Sequence, residues 1–330
     1  MSATLIIPAC SHPLTDTLPY TNSLFEEPWW LDAVAPGAWG AATVVKGGEV
    51  FARIPYAIRK KHGLSLAGNP PLTPTLGPWF RPTTAKYAGR LSLEKELLDD
   101  LIAQLPRCDL FRQSFSPGMT NALPFRWNGY EYSLTYTYRI HQLNDLDHAW
   151  GELTNERRNI VRKAQKEVTI RDDLSTGAFY DIIEETCTRQ GLNPPITREC
   201  FCHLDEACRS RAARKILHAE DASSNVHAVV YVVWDHRAAY YLLGGGHPSL
   251  KRSGAQSLLI WEAIKFASSV SPVFDFCGSS RHAIEHFFSS FGARQTPLLS
   301  VRRMSRRFAV LKASKDLAWL LAGRRAPCFL

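Results

Sequence analysis

Residues 238–269 (AAYYLLGGGHPSLKRSGAQSLLIWEAIKFASS) hold the side chains best suited to gripping an anion. An apolar aromatic run, 240–243, ends in three glycines, Gly244, Gly245 and Gly246. A short basic loop leads to Gly254, which opens a long amphipathic stretch. The pattern predicts strand, loop and helix, with Lys251, Arg252, Ser253, Gly254 and Ala255 at the helix start. Free backbone N–H groups and the helix dipole make such a start a phosphate site. A second cationic segment, NERRNIVRKAQKEVTIR, supplies Arg157, Arg158 and Lys163 as a phosphate clamp or, equally, a solvated face. Acid–base candidates lie downstream. Asp275 sits between Phe274 and Phe276 on a predicted strand and shares a face with Val273 and Cys277. It is either a polar group at a cleft or a local pairing residue. Tyr241 either packs or returns a proton to a leaving group. His282 and His286, one turn apart beside Glu285, are an acid–base cluster or a polar helix face.

The elements that must position these groups follow from periodicity. Residues 26–33 predict a short helix with Trp29 and Trp30. Residues 41–45 and 49–54 flank Lys46, Gly47 and Gly48 as a hairpin. The stretch 68–82 (GNPPLTPTLGPWFRP) is a constrained loop, read as a packed surface loop or as a cleft wall. Residues 92–105 predict a helix with Leu97, Leu98, Leu101, Ile102 and Leu105 inward. Residues 130–140 alternate strictly, which predicts a half-buried strand with Tyr130, Tyr132, Leu134, Tyr136, Tyr138 and Ile140 on its inner face. Helices are expected over 179–190, closed by Gly191, and over 197–214. Strands at 216–220, 226–234 and 238–243 come next. The Gly254 helix, a strand at 273–276, a helix at 282–291 and a strand at 298–302 complete the order.

Composition bounds the partners. The 330 residues carry 39 Lys and Arg against 31 Asp and Glu. The excess concentrates at 301–330, where Arg302, Arg303, Arg306, Arg307, Lys312, Lys315, Arg324 and Arg325 face only Asp316. That tail calls for an anionic partner: a lipid surface, RNA or a phosphorylated substrate. Within 305–322 the apolar residues among the cations suggest a basic amphipathic helix, lying on a membrane or docked over a sheet edge. No apolar run approaches the roughly 18 residues of a bilayer span. The faint lipobox at Ile7-Pro8-Ala9-Cys10 lacks a basic leader, so the expectation is a cytoplasmic chain, with peripheral contact at the inner membrane face through the tail. Cys200, Cys202, His203 and Cys208 fall within a helical pattern where Cys200 and Cys202 point apart. They read as packed thiols and not as a zinc set, and no metal is expected.

Three strings narrow the reading: NERRNIVRKAQKEV, YYLLGGGHPSLKRSGAQSLLIWEAIKFA and FDFCGSSRHAIEHFFSSFGA. In combination, and in this order of elements, residues 150–300 resemble the catalytic half of FemAB-like proteins of the GNAT acyltransferase superfamily. Residues 26–80 resemble the upstream half more loosely. The resemblance implies a mixed α/β (α+β) protein with the GNAT-like acyl-CoA N-acyltransferase fold in two tandem halves and a cleft between them. A leader at 1–24, an acceptor-binding half at 25–142, a catalytic half at 143–304 and a basic helix at 305–330 would follow. It also implies an acyl-CoA donor such as acetyl-CoA, or aminoacyl-tRNA in the Fem-type alternative. The acceptor would be a small-molecule or lipid-linked amine on a cell-envelope or polysaccharide precursor. Nucleic acid enters only if the donor is a tRNA, or if the chain is a non-catalytic RNA- or membrane-binding module. The loop at 251–255 has fewer glycines than the usual CoA loop, and the coiled-coil arm of some Fem enzymes has no counterpart.

Overall fold

A tight hairpin starts the sheet. Gly47 and Gly48 adopt φ of 60° and 82°, the left-handed backbone such a turn requires. They join β1 (Trp39–Lys46) to β2 (Glu49–Lys61). The computed structural model describes residues 20–278 and 282–321. Helix α1 (Pro28–Val34) precedes the hairpin. After it come β3 (Leu64–Gly68), β4 (Trp79–Phe80), α2 (Tyr87–Gln104), β5 (Leu110–Ser114), α3 (Leu123–Trp127) and β6 (Glu131–His141). The chain continues with α4 (Leu146–Glu152), α5 (Asn155–Glu167), β7 (Thr169–Arg171), α6 (Thr176–Arg189) and α7 (Arg198–Arg209). The last part is β8 (Arg214–Glu220), β9 (Val226–Trp234), β10 (Ala239–Gly246), α8 (Ala255–Ala267), β11 (Val273–Asp275), α9 (His282–Ser289), β12 (Arg294–Met304) and α10 (Arg306–Leu321). Local chemistry sets several helix ends. Thr154, Ser175 and Thr197 accept from the N–H groups of Arg157, Ala178 and Cys200, satisfying donors the first turn leaves free. Gly191, at φ 68°, follows α6.

Among the described residues, one twelve-stranded sheet carries the fold, in the order β1-β2-β3-β5-β12-β6-β11-β10-β9-β8-β7, with β4 on β2. Strand β12 pairs antiparallel with β5 on one side and β6 on the other, and β6 pairs antiparallel with β11. The two wings are therefore laced together by strands from distant parts of the chain. Helices α2 and α3 cover one wing around Leu98, Leu101 and Phe111. Helices α5 and α8 cover one face of the other wing around Leu259 and Ile264, and α6 and α7 cover its opposite face around Phe179, Phe201 and Tyr231. Those three rings touch at centroid distances of 5.3–5.6 Å. Each such buried side chain contributes about 1.5–3 kcal/mol of burial free energy.

Several expectations change. Residues 20–23 form neither helix nor strand, in keeping with an irregular segment, but they are packed and not a free leader. Thr21, Ser23 and Leu24 are buried, Leu24 and Phe25 join the Phe179 core, and the Leu24 N–H donates to Asp235 Oδ2 at 2.8 Å. Residues 1–19, with the lipobox-like string, lie outside the described residues. Helix α2 begins at Tyr87 and not at residue 92, although its inner leucines are those expected. Strand β6 departs most. Tyr130, Tyr138 and Ile140 are buried, but Tyr132, Leu134 and Tyr136 are 50%, 57% and 38% exposed. The two ends of the face meet different cores, and the middle spans the open interval between them.

Candidate active site

Strands β10 and β11 run parallel, but only Ala239 pairs with Phe274 and Tyr240 with Asp275. Strand β11 stops at Asp275, held on its other side by residues 139–141 of β6. Strand β10 continues to Gly246, bulged between Tyr241 and Leu243. Beyond Asp275, then, β10 and β6 diverge with no described strand between them. Asp275 sits at the apex of that gap, and the β10 edge from 241 to 246 has no described ladder partner on the gap side.

The apex is polar and buried. Asp275 is 5% exposed. Its Oδ1 accepts from Thr137 Oγ1 at 2.5 Å and from the Cys277 N–H at 2.8 Å, and its Oδ2 lies 3.2 Å from Arg139 Nε. Burial pushes the carboxyl above its usual range, against the pull of Thr137, Arg139 and the Cys277 N–H. Cys277 turns the chain at φ 58°, and burial drives its thiol far up, so it stays protonated. These groups open onto a cavity of about 400 Å³ between the wings. Its far wall is Thr21, Asn22, Ser23, Pro74, Thr75, Trp79, Phe80, Ser116 and Pro117, and Tyr240 and Arg237 flank Asp275. The proline-rich stretch 68–82 is thus a cleft wall. Glu26, fully buried, ties this wall together. It accepts from the Asn22 and Gly77 N–H groups at 3.0 and 2.8 Å and from Ser116 Oγ at 2.9 Å.

Tyr241 lies on the opposite face, its ring set at an angle against Phe276 and edge-on to Phe288 in the α5–α8 core. The two catalytic candidates therefore do not meet on one surface; they flank the gap from either side. Tyr241 OH accepts from Gln256 Nε2 at 3.2 Å, and burial raises its pKa. That hydroxyl explains Gly244: a Cβ there would lie 2.1 Å from it. A Cβ on Gly245 would meet Thr186 of α6 at 2.7 Å, and one on Gly246 the His227 carbonyl at 2.5 Å. The three glycines continue β10 and admit close neighbours; they do not end the strand.

The expected anion loop is partly assembled. A 3-10 turn, Pro248–Ser253, leads to Gly254 at φ 75°, the N-cap of α8. Lys251 and Arg252 are exposed, and Lys163 Nζ donates to the Arg252 carbonyl at 3.2 Å. Ser253 is turned inward: its hydroxyl donates to the Leu250 carbonyl and accepts from the Ala255 N–H. Gly254 packs on α5, where its Cβ would lie 2.5 Å from Ile160 Cγ2. Arg157 reaches the first turn of α8 but is occupied, donating to Ser257 Oγ at 2.6 Å and Ser290 Oγ at 2.9 Å beneath Phe287. Arg158 turns away to the Gly151 carbonyl at 2.8 Å. It stands apart from the loop.

His286 is exposed, and Glu285 approaches the Tyr138 hydroxyl; neither lines the cavity. The His282 side chain lies outside the described residues. On α7, Cys200 donates to the Ala33 carbonyl, Cys208 is buried and Cys202 is exposed. Sequence reasoning missed Thr137, Arg139, Tyr240, Arg237 and Glu26. Thr137 and Arg139 did leave a trace, as polar residues alternating with the aromatic face of β6.

Residues 152–294 match the family model described as an acetyltransferase (GNAT) domain. No curated protein matches the sequence. Among solved structures, FemX superposes with a TM-score of 0.64 at 12% identity, over 87% of this chain and 93% of that one. A conserved protein of unknown function from Bacteroides thetaiotaomicron gives 0.56 at 9%, over 84% and 90%. L-PGS from Bacillus licheniformis gives 0.50 at 14%, over 88% and 90%. At these identities the structures report on the fold, and the domain match reports on the chemistry. Residues 152–294 are thus similar to a GNAT acetyltransferase domain, and the chain as a whole has a FemX-like fold.

Proposed function

We propose that the protein transfers an acyl group from acyl-CoA to an amine whose reacting end enters the cavity beside Asp275. The acceptor is of the cell-envelope or polysaccharide-precursor class. The observation that carries this reading is the gap between β10 and β6 with a buried carboxylate at its apex. A donor lying on the α8 side would place its thioester carbonyl against the unpaired β10 edge, where backbone N–H groups stabilise the developing oxyanion. The acceptor would approach from the cavity side. Asp275 Oδ2 takes the ammonium proton, and the neutral amine attacks the carbonyl. As the tetrahedral intermediate collapses, the C–S bond breaks, Tyr241 gives its proton to the thiolate, and the extra proton on the new amide nitrogen is released through solvent in the gap and restores the phenol. Burial raises the basicity of the carboxylate and holds the phenol in its protonated form. Lys251, Arg252 and Lys163 would hold the donor phosphates, with Ser253, Gly254 and Ala255 supplying backbone and Arg157 bracing the turn. Trp79, Phe80 and Tyr240 give the acceptor apolar walls, and Arg237, exposed at the rim, suits an anionic group on it.

FemX-like architecture favours aminoacyl-tRNA as a second donor reading. Calorimetric titration with acetyl-CoA and longer acyl-CoAs separates the two, with Lys251→Ala/Arg252→Ala as control. Micromolar binding weakened about tenfold or more in the control supports acyl-CoA; a cationic pair on phosphates is worth that much. No binding to any thioester removes the CoA donor, and binding of aminoacyl-tRNA alone would replace it.

A further inference from the structure

Two basic segments far apart in sequence form one face. At the tip of the β2–β3 hairpin, Arg59, Lys60, Lys61 and His62 are all exposed. The first turn of α10 presents Arg306 and Arg307, also exposed. The segments touch: the Arg307 guanidinium lies 3.9 Å from the Cβ position of Gly63 in the hairpin turn. Asp109 is the joint. Its Oδ2 accepts from the Ser65 N–H of β3 at 2.9 Å, and its Oδ1 from Ser305 Oγ at 3.0 Å. Ser305 in turn caps α10, accepting from the Phe308 N–H at 3.1 Å. Arg59, Lys60, Lys61 and Arg306 form no ion pair with a described residue. One turn along α10, Val310 and Leu311 are 68% and 48% exposed.

We propose that this face docks the protein on an anionic phospholipid bilayer. The cations attract acidic headgroups, and Val310 and Leu311 enter the boundary between headgroups and acyl chains. An RNA backbone would engage the same cations but gains nothing from exposed aliphatic side chains, which decides between the two polyanions. The surface extends the basic character of the tail to a hairpin some 245 residues upstream, which charge counting along the chain does not join to it. None of its residues lines the cavity, so the inference stands independently of the acceptor and donor.

Flotation of the full chain with vesicles tests it, comparing phosphatidylglycerol–phosphatidylcholine with phosphatidylcholine alone. Binding is expected only to the anionic vesicles and is lost in 0.5 M salt, where the Debye length falls to about 4 Å from about 10 Å at 0.1 M. Lys60→Gln/Lys61→Gln and, separately, Arg306→Gln should each weaken partition by about fivefold per cation removed. Val310→Ser/Leu311→Ser should weaken it further, with acyl-CoA binding and thermal melting unchanged. Equal partition onto neutral vesicles, or full binding by the hairpin variant, would overturn the proposal. So would binding of tRNA, unaffected by the serine pair, in place of vesicles.

Discussion

The surroundings of Gly254 and of Asp275 are built on opposite plans. Around Gly254 most components are close in sequence, from the 3-10 turn through the first turn of α8, and one neighbouring helix, α5, adds Arg157, Ile160, Lys163 and Ala164. Around Asp275 almost nothing is local. Thr137 and Arg139 come from β6, Tyr240 from β10, and the far wall from residues 21–23, 74–80 and 116–117. The local site is the one a motif advertises, yet its glycines are accounted for by the atoms packed against them. The assembled site has no motif, yet it holds the buried carboxylate and the open cavity. A glycine-rich string can record the closeness of a neighbouring helix as readily as that of a ligand.

Three substitutions would break or sharpen that contrast. The largest effect is expected from Asp275→Asn, which keeps the shape and removes the proposed base. Turnover should fall by about 10²–10⁴-fold while the fold is retained by circular dichroism. The wild-type rate should fall with acid as Asp275 protonates, at a pH above the usual 3.8 because burial raises its pKa. That limb should vanish in the variant. Stability carries the opposite sign. A carboxyl raised in the folded state favours folding when protonated, so its contribution is lost as pH rises through the raised value. Urea melts of wild type and Asp275→Asn should therefore diverge in favour of the variant toward neutral pH. An unchanged rate in the variant would return the carboxylate to a merely structural role.

Next comes Gly254→Ala. Positive φ and the 2.5 Å approach to Ile160 Cγ2 predict a loss of about 1–3 kcal/mol in a urea melt. Ile160→Ala in the same chain should recover part of it. If Gly254→Ala melts like wild type but loses acyl-CoA affinity, the loop is a ligand site first and a packing site second. The smallest effect is expected from Tyr241→Phe, about tenfold in turnover if the leaving thiolate needs a proton. Since Gln256 donates to this hydroxyl, the phenylalanine variant also frees one amide donor. Activity with an ester of a low-pKa thiol, which leaves without protonation, should then be spared.

Periodicity read most elements well where one core covers a whole face. The inward leucines of α2 and the order strand, strand, strand, helix, strand, helix, strand over 214–304 are present as expected. It misread β6, because strict alternation announces a two-faced strand without saying whether anything lies over each face. Tyr132 and Leu134 are exposed because the wings part there. Residues 20–24 look irregular in sequence and become core because Phe25 and Leu24 find partners two hundred residues away. The clamp expected from Arg157, Arg158 and Lys163 divides for a similar reason: neighbours on one helix diverge in direction, and Ser257, Gly151 and Arg252 each capture one.

What the sequence by itself determined are the features that depend on near neighbours: the hairpin at Gly47 and Gly48, the capped helix starts at Thr154, Ser175 and Thr197, and the start of α8 after Gly254. Hydrogen bonds spanning three or four residues are written in the order of side chains, and a reader of that order can find them. Only the tertiary structure decided that Asp275 faces a cavity, that Tyr241 faces away from it, and that a hairpin and a C-terminal helix share a basic surface. Those outcomes depend on which strands become neighbours. Strand pairing across more than a hundred residues is chosen by the burial of whole faces at once, which no short window of sequence contains.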